Sequence, residues 1–232
     1  TGRREPFYIY LGVSIAMLAA ATAAELEGAA LTIAYTIESL FIPVISYTVL
    51  HKREESESLS FLIIGPIILS FASLDLYLWH DTILNQHFFA LLVLSLSLFG
   101  LGVFFALVSE REKSANSAIT TISFVLGSIY AYAIIWLSLH ATLRESSQMA
   151  VMISLVIYTI VGLITYFYGR MNEAKTFLTY GGTLLAFVVL RLLVVDVWQM
   201  DLTIRIITFF MVGALLVSTA FIGRNKKIEQ QN

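Results

Sequence analysis

Whole stretches of about 20 residues in this chain, such as Phe7–Ala24 and Ala118–Leu139, carry no charged side chain, and that is the length a helix needs to cross about 30 Å of hydrocarbon. A soluble helix of that length would place charges along one face at a period near 3.6. Here 58% of residues are apolar and only 13% charged, and the charges collect in the short gaps between apolar runs. The pattern therefore excludes an ordinary soluble fold. It predicts an all-α integral membrane protein, a single transmembrane domain over residues 1–232.

Eight transmembrane helices are expected. They cover Phe7–Ala24, Ala29–Leu50, Leu59–Trp79, His87–Val108, Ala118–Leu139, Met149–Tyr168, Thr176–Trp198 and Leu202–Ile222. The first run, with Arg3-Arg4 before it and Ala21-Thr22-Ala23 near its end, imitates a secretory signal. It is read as a span because its removal would spoil the even count. Arg3, Arg4, Lys52, Arg53, Arg111, Lys113, Arg170, Lys175, Arg224, Lys226 and Lys227 then fall on one side, and only Arg144, Arg191 and Arg205 on or near the other. That asymmetry predicts cytoplasmic termini. Trp79, Trp136 and Trp198 each end an odd-numbered span and are expected in an outer aromatic belt. Glu54, Glu55 and Glu57 read as a solvated cytoplasmic loop. Cysteine is absent, so disulfides and thiolate metal sites are excluded. The few scattered basic residues leave no footprint for nucleic acid.

One pattern occurs twice. Phe61-Leu62-Ile63-Ile64-Gly65 with Leu69, Phe71, Leu74 and Leu76 is matched by Phe177-Leu178-Thr179-Tyr180-Gly181 with Leu185, Phe187, Leu190 and Leu192. Four helices separate the copies, so a parallel 4+4 repeat with halves of about 1–113 and 114–232 is expected. Between the last two leucines one copy carries Asp75 and the other Arg191.

Several segments carry a family resemblance. They are Thr32-Ile33-Ala34-Tyr35-Thr36-Ile37-Glu38-Ser39-Leu40, the turn Leu84-Asn85-Gln86-His87-Phe88, and Leu190-Arg191-Leu192-Leu193-Val194-Val195-Asp196 followed by Arg205-Ile206-Ile207-Thr208-Phe209. Together they resemble the large bacterial family of multi-pass membrane proteins classed only as a domain of unknown function. The resemblance implies a multi-pass protein of the bacterial cytoplasmic membrane, matching a C-terminal eight-helix portion or a compact version of longer members. It brings no established activity. Arg191 stands where the family tends to have lysine, which keeps the charge and favours a bidentate partner.

The intramembrane charges are the candidate site. An unpaired charge at the bilayer centre costs about 2.5–3.5 kcal/mol or more. At 1.5 Å per residue Arg191 is about 8 Å below the outer surface, with Asp75 at a comparable depth. Two readings stand for this couple: a pair near the pseudo-twofold axis, or an Arg191 that snorkels and an Asp75 that meets water. Asp196, five positions after Arg191, is poorly placed for a same-face pair; Asp201 and Arg205 have the favourable spacing of four. Glu38 lies about 14 Å deep, beyond reach of the surface. It must be protonated, bonded inside the bundle or open to a wet cavity. Pro43 and Pro66 are expected to disturb the backbone of their spans.

His80, Asp81, His87 and His140 fall on the outer side in no known ligand spacing, so no metal and no cofactor is expected. Gly65, Gly100, Gly102, Gly127, Gly162, Gly181, Gly182 and Gly213 are read as helix-packing positions rather than a phosphate cradle. Three functions are compatible with this. One is binding or transport of a small polar or anionic molecule or lipid, in the outer leaflet between the halves, around Glu38, Asp75 and Arg191. Another is a non-catalytic structural or assembly subunit that packs against lipids and other membrane subunits. The third is a membrane enzyme using His80, Asp81 or His140 on lipid or cell-wall precursors.

Overall fold

The structure, a computed structural model, describes residues 4–79, 82–112, 118–143, 147–171, 175–192 and 201–229. No strand occurs among them. In chain order the helices are α1 (Arg4–Glu25), α2 (Gly28–Leu50), α3 (Arg53–Leu59), α4 (Ile64–Ser70), α5 (Gln86–Arg111), α6 (Ala118–Thr142), α7 (Ser147–Met171), α8 (Lys175–Arg191) and α9 (Leu202–Glu229). Among the described residues five helical rods are long and apolar enough to cross a membrane. Those are Gly28–Leu50, Arg53–Leu74, Gln86–Arg111, Ala118–Thr142 and Gln148–Met171. Gly12–Glu25, Phe177–Arg191 and Leu202–Ala214 are shorter apolar helices. The chain forms two compact units that meet in sequence between Leu137 and Ser138, within α6. That boundary lies one helix later than the expected junction of the repeat halves.

The distribution of side chains is the reverse of a soluble protein's. On α2 the buried face runs Ala29, Thr32, Thr36, Ser39, Pro43, Ser46 in steps of three and four. Its exposed face runs Ile37, Phe41, Ile45, Val49 in steps of four. Small residues let backbones approach, and Thr32, Thr36 and Ser39 donate their hydroxyls to carbonyls of their own helix, whereas Phe41 in hydrocarbon forfeits nothing by being outside. α5 is the most enclosed helix of the first unit. Leu91, Leu94, Leu98, Leu101 and Phe105 are fully buried, and between its polar ends only a stripe of Phe89, Leu96, Val103 and Leu107 is exposed.

The third rod departs from the sequence reading. It begins at Arg53 rather than Leu59, so Glu54, Glu55 and Glu57 sit on helical α3, not in a loop. Acids in the first turn suit the helix dipole, and Arg53 Nε reaches Glu57 Oε1 at 2.6 Å with the favourable spacing of four. α3 tightens into a 3₁₀ turn over Ser60–Ile63, returns to α-helix in α4 and tightens again over Phe71–Leu74. Pro66 has no N–H for the Leu62 carbonyl, and its ring crowds that carbonyl. The buried stripe follows the winding: Ser60, Ile63 and Pro66 are three apart, as are Ser70 and Ser73, the spacing that eclipses side chains in a 3₁₀ turn. Pro43 leaves α2 continuous.

Hydrogen bonds from these stripes tie the first unit together. Ser56 Oγ, fully buried, donates to the Pro43 carbonyl at 2.7 Å. Ser95 Oγ donates to the Gly127 carbonyl at 2.9 Å. Tyr130 Oη meets Ser70 Oγ at 2.6 Å. In the second unit the α7–α8 hairpin is built on glycine. A Cβ on Gly181 would strike the Tyr166 backbone, one on Gly169 the Leu178 backbone, and one on Gly162 the Leu185 side chain. Gly102 and Gly127 lie against the Phe124 and Phe99 rings. Gly65 and Gly213 correct the sequence reading, because a Cβ at either would meet nothing within 4 Å.

Candidate functional site

Asp75 is not inside a helix. The rod ends at Leu74, and Asp75 is extended, with φ −68° and ψ 121°. Its side chain is exposed, and its Oδ1 accepts the Tyr77 N–H at 3.0 Å while its carbonyl accepts the Leu78 N–H at 3.1 Å. This is the local turn that a short carboxylate favours over a helix interior. Asp75 thus stands at a helix end, with its carboxylate engaged by its own turn. Arg191 closes α8 and is half-buried. Asp75 belongs to the first unit and Arg191 to the second. The two copies of the pattern thus differ locally: one is a broken rod that ends before its acid, the other a continuous helix that includes its base.

Glu38 is the eleventh of the 23 residues of α2 and is half-buried. Its Oε1 lies 2.5 Å from Thr22 Oγ1 on α1, and one turn earlier Tyr35 Oη donates to the Ala19 carbonyl at 2.8 Å. Side chains lean toward the N-terminus of their own helix. In this antiparallel hairpin Thr22 and Glu38 therefore lean toward each other. Of the three sequence options for Glu38, bonding inside the bundle is observed. Sequence reasoning did not single out Thr22. The available signal was the small-residue face of α1, where Ile15, Ala19, Thr22 and Leu26 are the less exposed positions.

The elbow after Asp75 is a closed structure. Trp79 is 1% exposed, with Nε1 donating to the Ser73 carbonyl at 3.1 Å. It fills the elbow rather than standing in an aromatic belt, which corrects the expectation for this tryptophan. Asn85 caps α5 by accepting the Phe88 N–H at 2.8 Å, and its amide donates back to the Leu78 and Thr82 carbonyls. His87 Nδ1 lies 3.1 Å from Ser73 Oγ. Tyr77 and Leu84 are the most exposed apolar side chains of the elbow.

The remaining candidates are dispersed. His140 is half-buried in the last turn of α6. The Asp201 N–H donates to Gln148 Oε1 at 3.0 Å, joining α9 to α7, and the Asp201 carbonyl accepts the Arg205 N–H at 2.9 Å as α9 begins. His80, Asp81, Asp196 and Trp198 lie outside the described residues. Among the described residues no group of three or more His, Cys, Asp or Glu is arranged to hold a metal ion.

No family model, curated protein or solved structure matches this chain. The resemblance to the bacterial membrane family thus has no matched family model behind it.

Proposed function

We propose that the chain is a polytopic membrane protein with eight spans and cytoplasmic termini, acting as a non-catalytic assembly subunit. Five long apolar rods and three shorter apolar helices support the span number. The one-sided distribution of basic residues supports the orientation. The observation that carries the assembly reading is the fate of the two acids. Glu38 is engaged by Thr22, and Asp75 is taken up in capping its own turn. Both are engaged in holding this chain's backbone and helices, and among the described residues neither shares a hydrogen bond or ion pair with a second titratable side chain.

The alternative function, binding of an anionic solute or lipid headgroup, makes a different forecast. A ligand at 100 times its Kd stabilises the folded state by about 2.7 kcal/mol. In nanodiscs, inorganic phosphate, glycerol phosphate and anionic phospholipid should each leave the unfolding midpoint unchanged. Cross-linking in native membranes should give a discrete, reproducible complex. A saturable rise in midpoint that disappears in Arg191→Leu would overturn the assembly reading in favour of a binding site.

A further inference from the structure

We infer that Glu38 is a membrane-embedded proton-binding site, its carboxyl holding a proton and donating it to Thr22 Oγ1 across the α1–α2 contact. The inference starts from the same Glu38–Thr22 contact as the assembly reading and rests on counting hydrogens. Thr22 Oγ1 has two oxygen neighbours, the Leu18 carbonyl at 3.0 Å and Glu38 Oε1 at 2.5 Å. A threonine hydroxyl has one hydrogen, and a carbonyl oxygen has none to give. If the threonine donates to Glu38, the Leu18 contact is left as two oxygens with nothing between them. If it donates to Leu18, the Glu38 contact needs a hydrogen that only the acid can bring. A three-centre bond would divide the one threonine hydrogen between both acceptors and weaken each, whereas the protonated acid gives each contact a hydrogen of its own.

Position argues the same way. Glu38 stands ten residues into α2, about 15 Å from the N-terminal end of the rod. Ile37 and Phe41, its exposed neighbours, are side chains suited to hydrocarbon. Among the described residues no Lys, Arg or His forms an ion pair with Glu38. An anion there would face the charge penalty of the bilayer interior, whereas a neutral acid with one hydrogen bond avoids most of it. Glu38 is only half-buried, so a reagent dissolved in the surrounding hydrocarbon has a path to the side chain.

Dicyclohexylcarbodiimide provides the test, because it partitions into lipid and reacts with protonated carboxyls. The acid proton passes to a carbodiimide nitrogen and the carboxyl oxygen bonds to the central carbon. The resulting O-acylisourea rearranges to a stable N-acylurea with the summed mass of both reactants. The wild-type protein in liposomes at neutral pH should carry this adduct on Glu38 severalfold more than on Glu54, Glu55 or Glu57. A water-soluble carbodiimide should reverse that preference. A carboxylic-acid carbonyl band in the infrared spectrum should vanish in Glu38→Gln and move to higher frequency in Thr22→Val, which removes the acceptor. An unmodified Glu38 in the folded wild-type protein, or an infrared spectrum unchanged by Glu38→Gln, would overturn the inference. The labelling experiment uses the native chain, so it does not depend on any variant folding.

Discussion

Tyr130 and Ser70 illustrate how single hydroxyls hold this protein together. Ser70 Oγ already donates to the Ile67 carbonyl at 2.7 Å, so the 2.6 Å contact with Tyr130 is donated by the tyrosine. Tyr130→Phe removes that hydrogen bond and a longer 3.4 Å contact with the Ile67 carbonyl from a site 5% exposed and should cost about 1 kcal/mol. Ser70→Ala should cost a similar amount. The double variant should cost less than the sum, because the Tyr130–Ser70 bond is counted in both single changes; unfolding midpoints of the four proteins in one detergent give the cycle. Strict additivity would show that the two hydroxyls act separately. His51 offers a change in the other direction. It caps α2 in the left-handed region, φ 54°, and its N–H donates to the Tyr47 carbonyl at 2.8 Å. Glycine adopts that conformation without the Cβ penalty. His51→Gly should therefore raise stability by up to about 1 kcal/mol, and a lowered midpoint would mean that the imidazole makes a contact worth more than the strain.

At the scale of the element, the matched glycines of the duplicated pattern have opposite surroundings. Gly181 is pressed onto the α7 backbone, while Gly65 faces open space. Gly181→Ala should force the α7–α8 hairpin apart at a cost of about 1–3 kcal/mol, the range of overpacking. Gly65→Ala should cost less than Gly181→Ala, because only the bias of a residue before proline against the helical region opposes the better helix propensity of alanine. Equal effects would argue that the two copies pack alike after all. This contrast shows what the sequence could and could not tell. The five long rods were legible because a hydrocarbon-length apolar run points to a crossing helix. The 3₁₀ turns were not, although Pro66 and the three-residue steps of Ser60, Ile63 and Pro66 were there to be read. The burial of Trp79 was hidden because an amphipathic ring suits an interface or an elbow equally well. Glu38 was legible as a problem, since its depth demanded a partner. The identity of Thr22 was not, because pairing between helices depends on their rotation and tilt.

For the whole molecule, membrane topology is the property that most needs a direct measurement, and the absence of cysteine makes it accessible. Leu84 and Leu202 are 66% and 70% exposed, and Glu54 and Glu112 are exposed as well. In the eight-span reading Leu84 and Leu202 lie at outer turns, and Glu54 and Glu112 at cytoplasmic ones. Single cysteines at the four positions should separate cleanly with a membrane-impermeant maleimide. Leu84→Cys and Leu202→Cys should react in intact cells, and Glu54→Cys and Glu112→Cys only after permeabilisation. The comparison of Leu84→Cys with Leu202→Cys is decisive. Between them run α5 to α8, and an even number of crossings returns the chain to the same side. If Leu202→Cys reacts only after permeabilisation while Leu84→Cys reacts before it, one rod of that group does not cross. α8 would then be the first suspect, because its apolar part, Phe177–Arg191, is among the shorter apolar helices. At 1.5 Å per residue such a segment covers only about 22 Å, so a full crossing through α8 requires the chain beyond Arg191 to continue the path. Reaction of both cysteines from outside would establish that it does.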